Sequence, residues 1–379
     1  MKVLYITHYS LLYGANKSLI DLIDGLLLKG NIEIILIAPD GPIVEELRNR
    51  SIKVFVVPFF NEIYSNKFKR VLIKSILKHL LNWIIALYFL VKLVTKKIDL
   101  IHTNSSVTFI GAYLSFLLQK PHVWHIREYL DQDYNLKYTF GSRFFKFWIE
   151  RAAGVISISN SLASSRLKDV KLKNLRVIYN GVILAKDMSV LSNRSPHKDT
   201  FVYGIVGLIS REKGQFEALR GFALLYKKNP NTKLFIVGHA EDEDFMNELR
   251  LFTYNEGLTD CVIFTGYKKN VTDYYKIFDV LLMCSRYEAL GRVTIEAMAK
   301  GIVVVGYNNG GTAEIIKDGY NGLLYNTDFK ELGEKLEYLL KNQKTLVTLS
   351  NNAINTVLEN YTIEKYSDDV LHFYKQILN

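Results

Sequence analysis

The chain has 379 residues, 49% of them hydrophobic and 23% charged, with two cysteines and a net charge of +10. That composition excludes a disordered chain and a disulfide scaffold, and the length exceeds what a single core serves, so two domains are expected. The charge is uneven: residues 1–183 carry 25 lysines and arginines against 13 acidic residues, the remainder 23 against 25, so the first half is the one suited to an anionic partner.

Val3–Ile6 is an apolar run that predicts a first strand, and residues 1–7 are too short for a signal peptide. Tyr13-Gly14-Ala15-Asn16-Lys17 leads into Leu19, Ile20, Leu22, Ile23, Leu26 and Leu27 at helical spacing, closed by Gly30-Asn31. Further strands are predicted at 32–38, 54–57, 100–102, 123–125 and 154–158, with helices between them. This alternation predicts a parallel sheet covered on both faces. Segment 66–97 stands apart, with eight basic residues, no acidic ones, and an apolar, aromatic run over 80–91. That run is too short to span a bilayer. It predicts a helix lying in a membrane interface, the alternative being a core helix with a solvated end.

Residues 184–199 are polar, carry Pro196 and predict an interdomain linker. Strands then resume at 201–206, 233–237, 262–265, 280–283 and 303–305, with helices from about 215 and at 244–255 and 293–300. Two doubly wound units in succession predict α/β nucleotide-fold domains facing a central cleft, with ligands at the carboxyl ends of the strands. Cys261 and Cys284 sit in apolar surroundings and are expected as buried thiols of a reducing compartment. A cytoplasmic protein at the inner face of the membrane is the expectation.

Glu288 and Glu296 flank a predicted strand–loop–helix junction. Gly291 there allows close backbone approach, and a helix start favours a diphosphate. The wider segment is more specific: Glu288, Glu296-Ala297-Met298-Ala299, Gly301, Val303–Val305, Gly310-Gly311-Thr312-Ala313-Glu314 and Asp318-Gly319-Tyr320-Asn321-Gly322. In this it resembles the retaining, two-domain GT-B glycosyltransferases of the group 1, or family 4, type, which include sucrose synthase and glycogen synthase.

The resemblance implies an acceptor-binding domain over 1–183, the linker at 184–199, a nucleotide-sugar domain over 200–360, and a final helix over 361–379 returning to the first domain. It implies that Glu288 holds donor-sugar hydroxyls and Glu296 the ribose. Backbone at Leu290, Gly291, Arg292 and Val293 would face sugar and phosphate, with Gly266 near the base. Lys213 would neutralise the diphosphate leaving group, as a cation does where charge grows in a transition state. Leu208 stands where the family commonly has arginine, so Arg211 is expected to supply the second cation. Gly14 would let the first loop approach the diphosphate, and His125 would sit near the donor sugar, against a structural histidine ending a buried strand. Asn180-Gly181-Val182 matches the turn that ends the first domain. His102-Thr103-Asn104-Ser105 is expected either to touch acceptor or to cap a helix.

No cofactor beyond the donor substrate and no metal is implied. The Asp242/Asp244 pair is better explained as a helix start than as a manganese site. The absence of Gly-x-Gly-x-x-Gly after the first strand argues against a nicotinamide or flavin enzyme, and no aromatic–basic platform suggests nucleic acid. The expected partners are a nucleotide-sugar donor, a lipid-linked saccharide acceptor and an anionic membrane, in bacterial surface-polysaccharide assembly. The alternatives are a non-catalytic partner subunit and a sugar-nucleotide epimerase.

Overall fold

Strands buried on both faces need continuous apolar runs, and Val3-Leu4-Tyr5-Ile6 is one, with all four side chains fully buried. The computed structural model describes residues 1–65, 72–188 and 200–379. It divides into two compact units, Met1–Gly181 with Ile363–Asn379, and Val182–Thr362.

The first unit holds β1 (Lys2–Ile6), β2 (Glu33–Ala38), β3 (Lys53–Val56), β4 (Ile63–Ser65), β5 (Leu100–Thr103), β6 (His122–Ile126), β7 (Leu136–Tyr138), β8 (Gly154–Ser157) and β9 (Leu175–Val177). Seven of them form a sheet in the order β3-β2-β1-β5-β6-β8-β9, while β4 and β7 pair separately and antiparallel. The second unit holds β10 (Phe201–Val206), β11 (Thr232–Val237), β12 (Val262–Gly266), β13 (Val280–Met283), β14 (Val303–Tyr307) and β15 (Leu323–Tyr325), in the order β12-β11-β10-β13-β14-β15. Both large sheets are parallel. Each reverses its strand order once, between β1 and β5 and between β10 and β13. Loops leaving the carboxyl ends of those strand pairs diverge and open a crevice.

The final helix, Ile363–Leu378, belongs to the first unit. Its Tyr366, Val370, Phe373 and Tyr374 are buried in that unit's core. It lies close against the helix Gly14–Leu28: a Cβ on Gly25 would sit 2.6 Å from Ser367 Oγ. Each such buried side chain stabilises the unit by about 1.5–3 kcal/mol.

The first helix starts at Gly14, five residues ahead of its apolar pattern. The cause is polar. Buried Asn16 accepts from Thr7 Oγ1 at 2.6 Å and donates to the carbonyls of Tyr9 and Leu11 at 2.9 and 2.8 Å, folding the preceding loop onto the helix start. Of the predicted linker, Ala185–Met188 forms a short helical turn and residues 189–199 lie outside the described residues. The basic apolar segment, whose residues 66–71 also lie outside them, contains the helix Leu72–Leu93. One face of it is buried at Asn82, Ala86, Phe89 and Leu93, and the opposite face is exposed. Both cysteines are buried.

Candidate functional site

In the second unit, the loops after β10 and β13 leave adjacent strands at the point of reversal. The β10 loop is folded by buried Gln215, which donates to the Leu208 carbonyl at 2.8 Å and accepts from Ser210 N–H at 3.3 Å. A 3₁₀ turn over Arg211–Lys213 follows, then Gly214 at φ 74°, then the helix Gln215–Tyr226. A Cβ on Gly214 would stand 2.3 Å from the carbonyl oxygen of Cys284, just past β13. Glycine is therefore required there for both backbone conformation and space. This close approach accompanies the contact of Lys213 Nζ with Glu288 Oε2 at 2.8 Å, with the side chains 26% and 19% exposed. Gly214→Ala is expected to destabilise the second unit by about 2–4 kcal/mol and to lower turnover in parallel. Urea unfolding and a donor-turnover assay on the same preparation measure both.

The loop carrying Glu288 rests on the start of the helix Gly310–Ile315: Gly311 N–H donates to the Glu288 carbonyl at 2.7 Å, and a Cβ on Gly311 would come within 2.4 Å of Leu290 Cα. Leu290 is buried against it. Gly291, at φ 92°, caps the helix Arg292–Ala299, so the positive end of that helix dipole lies three residues past Glu288. Val293 is half-buried in its first turn. Glu296 stands in the second turn rather than the first. Its carboxylate accepts from Arg292 Nε at 2.7 Å and from buried Tyr275 OH at 3.1 Å, which fixes its orientation. Burial and that carboxylate raise the Tyr275 phenol well above its ordinary pKa, so it stays a donor. The Arg292 side chain thus acquires a positioning role that spacing alone did not suggest.

Arg211 engages its guanidinium with Glu248 at 2.6 Å, in a solvent-exposed pair, and lies over the Phe245 ring at 4.7 Å. Its neighbour Asp242 caps the helix Glu243–Asn255 through Phe245 N–H, as its position at a helix start implies. A cavity of about 170 Å³ opens where β10, β11 and β12 end, lined by Ile209, Gly238, His239, Arg250 and Gly266 among others. Gly266 is exposed at φ 68°.

In the first unit, Gly14 begins a helix beside the β1–β5 reversal, and a Cβ there would meet only open space. Asn104, just past β5, donates from its backbone to Ile6 O at 2.9 Å and from its side chain to Ala15 O at 3.2 Å. His125 lies within β6 and is fully buried, not at an exposed strand end. Arg127, 6% exposed, donates to Asn104 Oδ1 and Asn180 Oδ1, both at 2.8 Å, and to Tyr366 OH at 2.9 Å. It also lies 3.2 Å from His125 Nδ1. Arginine cannot accept, so that nitrogen is the acceptor and the neutral ring carries its proton on Nε2. Nε2 is buried with no hydrogen-bond partner among the described residues. His102 accepts from Tyr374 OH at 2.6 Å and lies 3.3 Å from His125. Burial first, and the Arg127 charge second, hold both imidazoles well below their ordinary pKa.

The His102–Ser105 segment caps no helix. The next helix begins at Ile110, and Thr103, Asn104 and Ser105 are buried and bonded to His122, Arg127 and Glu128 respectively. Arg127, Asn104 and Tyr366 were missed as positioning groups. Their partners lie up to 239 residues apart in the chain, and an arginine ending an apolar strand was the only local signal.

Residues 13–186 match the family described as Glycosyltransferase Family 4, and residues 190–356 match Glycosyl transferases group 1. The chain is similar to the capsular polysaccharide biosynthesis glycosyltransferase CapM of Staphylococcus aureus, 24% identical over 93% of this chain and 92% of that one. It is also similar to the alpha-monoglucosyldiacylglycerol synthase of Acholeplasma laidlawii, 29% identical over 48% of this chain and 45% of that one. Among solved structures, Anabaena HepE in complex with UDP superposes with a TM-score of 0.81 at 22% identity, over 99% of this chain and all of that one.

Proposed function

Because the chain belongs to glycosyltransferase family 4, a retaining family that uses nucleotide-sugar donors, we propose that it transfers a sugar onto a lipid-linked saccharide in the assembly of a bacterial surface polysaccharide. The observation that carries the donor half is the Lys213–Glu288 pair at the β10–β13 reversal, with a helix start three residues beyond it. The donor diphosphate takes the place of Glu288 on the Lys213 ammonium, and the released carboxylate turns to the sugar hydroxyls. Glu296, already oriented by Arg292 and Tyr275, accepts from the ribose. The base enters the cavity that ends at Gly266.

In the reaction, the bond between the anomeric carbon and the diphosphate oxygen breaks. The acceptor hydroxyl bonds to that carbon on the face the nucleotide leaves, and its proton passes to the departing diphosphate. Lys213 and the helix dipole stabilise the growing phosphate charge. The acceptor reading is supported by the basic first unit and by similarity to CapM and to a diacylglycerol glucosyltransferase.

The test is a binding and hydrolysis screen of UDP-, GDP-, ADP- and dTDP-sugars against the wild type and Glu296→Ala. One donor is expected to bind, and the substitution to weaken it by about 10- to 100-fold, the loss of one or two hydrogen bonds to a charged group. UDP-sugars are the first to try, since HepE is bound to UDP. A folded protein that binds none of the four would instead favour a partner subunit that keeps the fold without the chemistry.

A further inference from the structure

We propose that the open face of the helix Leu72–Leu93 is a docking surface for an anionic lipid bilayer, along which the first unit lies without crossing it. At 100° per residue, Ile73, Leu77, Leu80, Ile84, Leu87 and Val91 fall in one stripe about 80° wide. Their exposures run from 49% to 80%. A continuous apolar stripe of this kind on an open surface marks an interaction site. Lys74, Lys78 and Lys92 fall together on one flank, about 100–140° round from the stripe's centre. Lys96 and Lys97 extend the row past the helix end, and no acidic residue occurs over 66–97.

Length and hydropathy would let Ile73–Lys96 span a membrane. The buried face forbids it. Asn82 clamps the backbone of Phe60 from both sides, at 2.8 and 2.9 Å. His79 Nδ1 meets the buried Glu62 carboxylate at 2.5 Å, and Trp83 Nε1 donates to His79 Nε2 at 3.2 Å. Withdrawing the helix would strip Glu62, 2% exposed, of a charge-assisted partner. One face is therefore bolted to the domain and the other is open, which is the arrangement of a helix lying in an interface.

The charge selects the occupant. A second copy meeting this face about a two-fold axis would bring its own lysine row and no carboxylates from the segment, so like charges would face each other. Anionic headgroups complement the row while the stripe enters the acyl boundary. This surface rests on the lipid-linked acceptor reading for its purpose, but its test does not need that acceptor.

The experiment is flotation of the full chain with vesicles of phosphatidylcholine alone, or with about 30% phosphatidylglycerol, in low and high salt. The wild type is expected to float only with the anionic vesicles and to be released by salt. Ile84→Asp with Val91→Asp is expected to reduce partitioning by about tenfold or more. Lys74→Gln, Lys78→Gln and Lys92→Gln together reduce it by about a hundredfold, near fivefold for each charge. Both variants should keep the wild-type circular dichroism and nucleotide-sugar binding in solution, where none of these residues is in the donor site. Flotation with neither vesicle, or flotation unchanged by the aspartates, overturns the proposal. So does a wild-type dimer that the aspartates convert to monomer, which would assign the face to a second copy. Donor binding that fails while flotation persists would sink the transferase reading and leave this surface standing.

Discussion

Replacing Lys213 with alanine is expected to lower kcat by about 10²–10³-fold, the range seen when one preorganised stabiliser of transition-state charge is removed. The ammonium is held 2.8 Å from Glu288 by a turn whose geometry depends on Gly214. Arg211 pairs with Glu248 in a solvent-exposed contact. Stability should change little, because the pair is partly solvated and the Glu288 carboxylate can rehydrate. Steady-state kinetics with the donor found in the screen separates the two effects. Lys213→Arg should recover part of the loss, since charge is kept but the stem is longer and the head planar. A kcat within about threefold of wild type in the alanine variant would remove Lys213 from the chemistry and leave Glu288 as a merely structural partner.

Acid is expected to unfold the first unit before the second. His102, His122 and His125 are buried on β5 and β6, and burial holds all three below the ordinary imidazole pKa, His122 down to about 3. A group whose pKa is depressed on folding takes up its proton more readily in the unfolded chain. Stability is therefore complete above about pH 6.5 and falls as pH drops through that value toward the folded-state pKa. By pH 5 a histidine held near 3, as His122 is, costs about 2 kcal/mol, and His102 and His125 act in the same direction. Urea melts at pH 7.5 and pH 5.0, followed by tryptophan fluorescence, test this directly, because all three tryptophans (Trp83, Trp124 and Trp148) are in the first unit. The midpoint should fall steeply between the two, and His122→Gln should flatten the fall. A midpoint that holds across this range would mean that the protonated histidines find hydrogen-bond acceptors in the folded state.

What the sequence made legible follows from what periodicity records. Apolar runs such as Val3–Ile6 and Val303–Val305 are strands because both faces are buried, and burial on both faces leaves an unbroken apolar signature. The short strands β4, β7 and β9 have three residues each and leave none, and in β15 the apolar run is only three residues long. Glu288, Glu296 and Lys213 were legible because their chemistry is written into one loop and one helix start. The Arg211–Glu248 pair was not legible, because spacing along a 3₁₀ turn does not say which way a guanidinium faces. The polar network of Asn104, Arg127, His125 and Tyr366 joins three distant stretches, and nothing in any one stretch announces the others. The long basic helix was read as interfacial or as core. It is buried along one side and open along the other, which a window of mean hydropathy cannot distinguish.

The last sixteen-residue helix also sets an order of events during synthesis. The hydroxyl of Tyr374 reaches His102 across 272 residues of chain, and Tyr366, Val370 and Phe373 fill core positions that residues 1–181 alone leave open. Of the two units, the one that holds Met1–Gly181 therefore begins to leave the ribosome ahead of the other and is completed after it. It waits, with its β5–β6 histidines uncovered on one side, until the whole of the second unit has been translated and the chain returns to it.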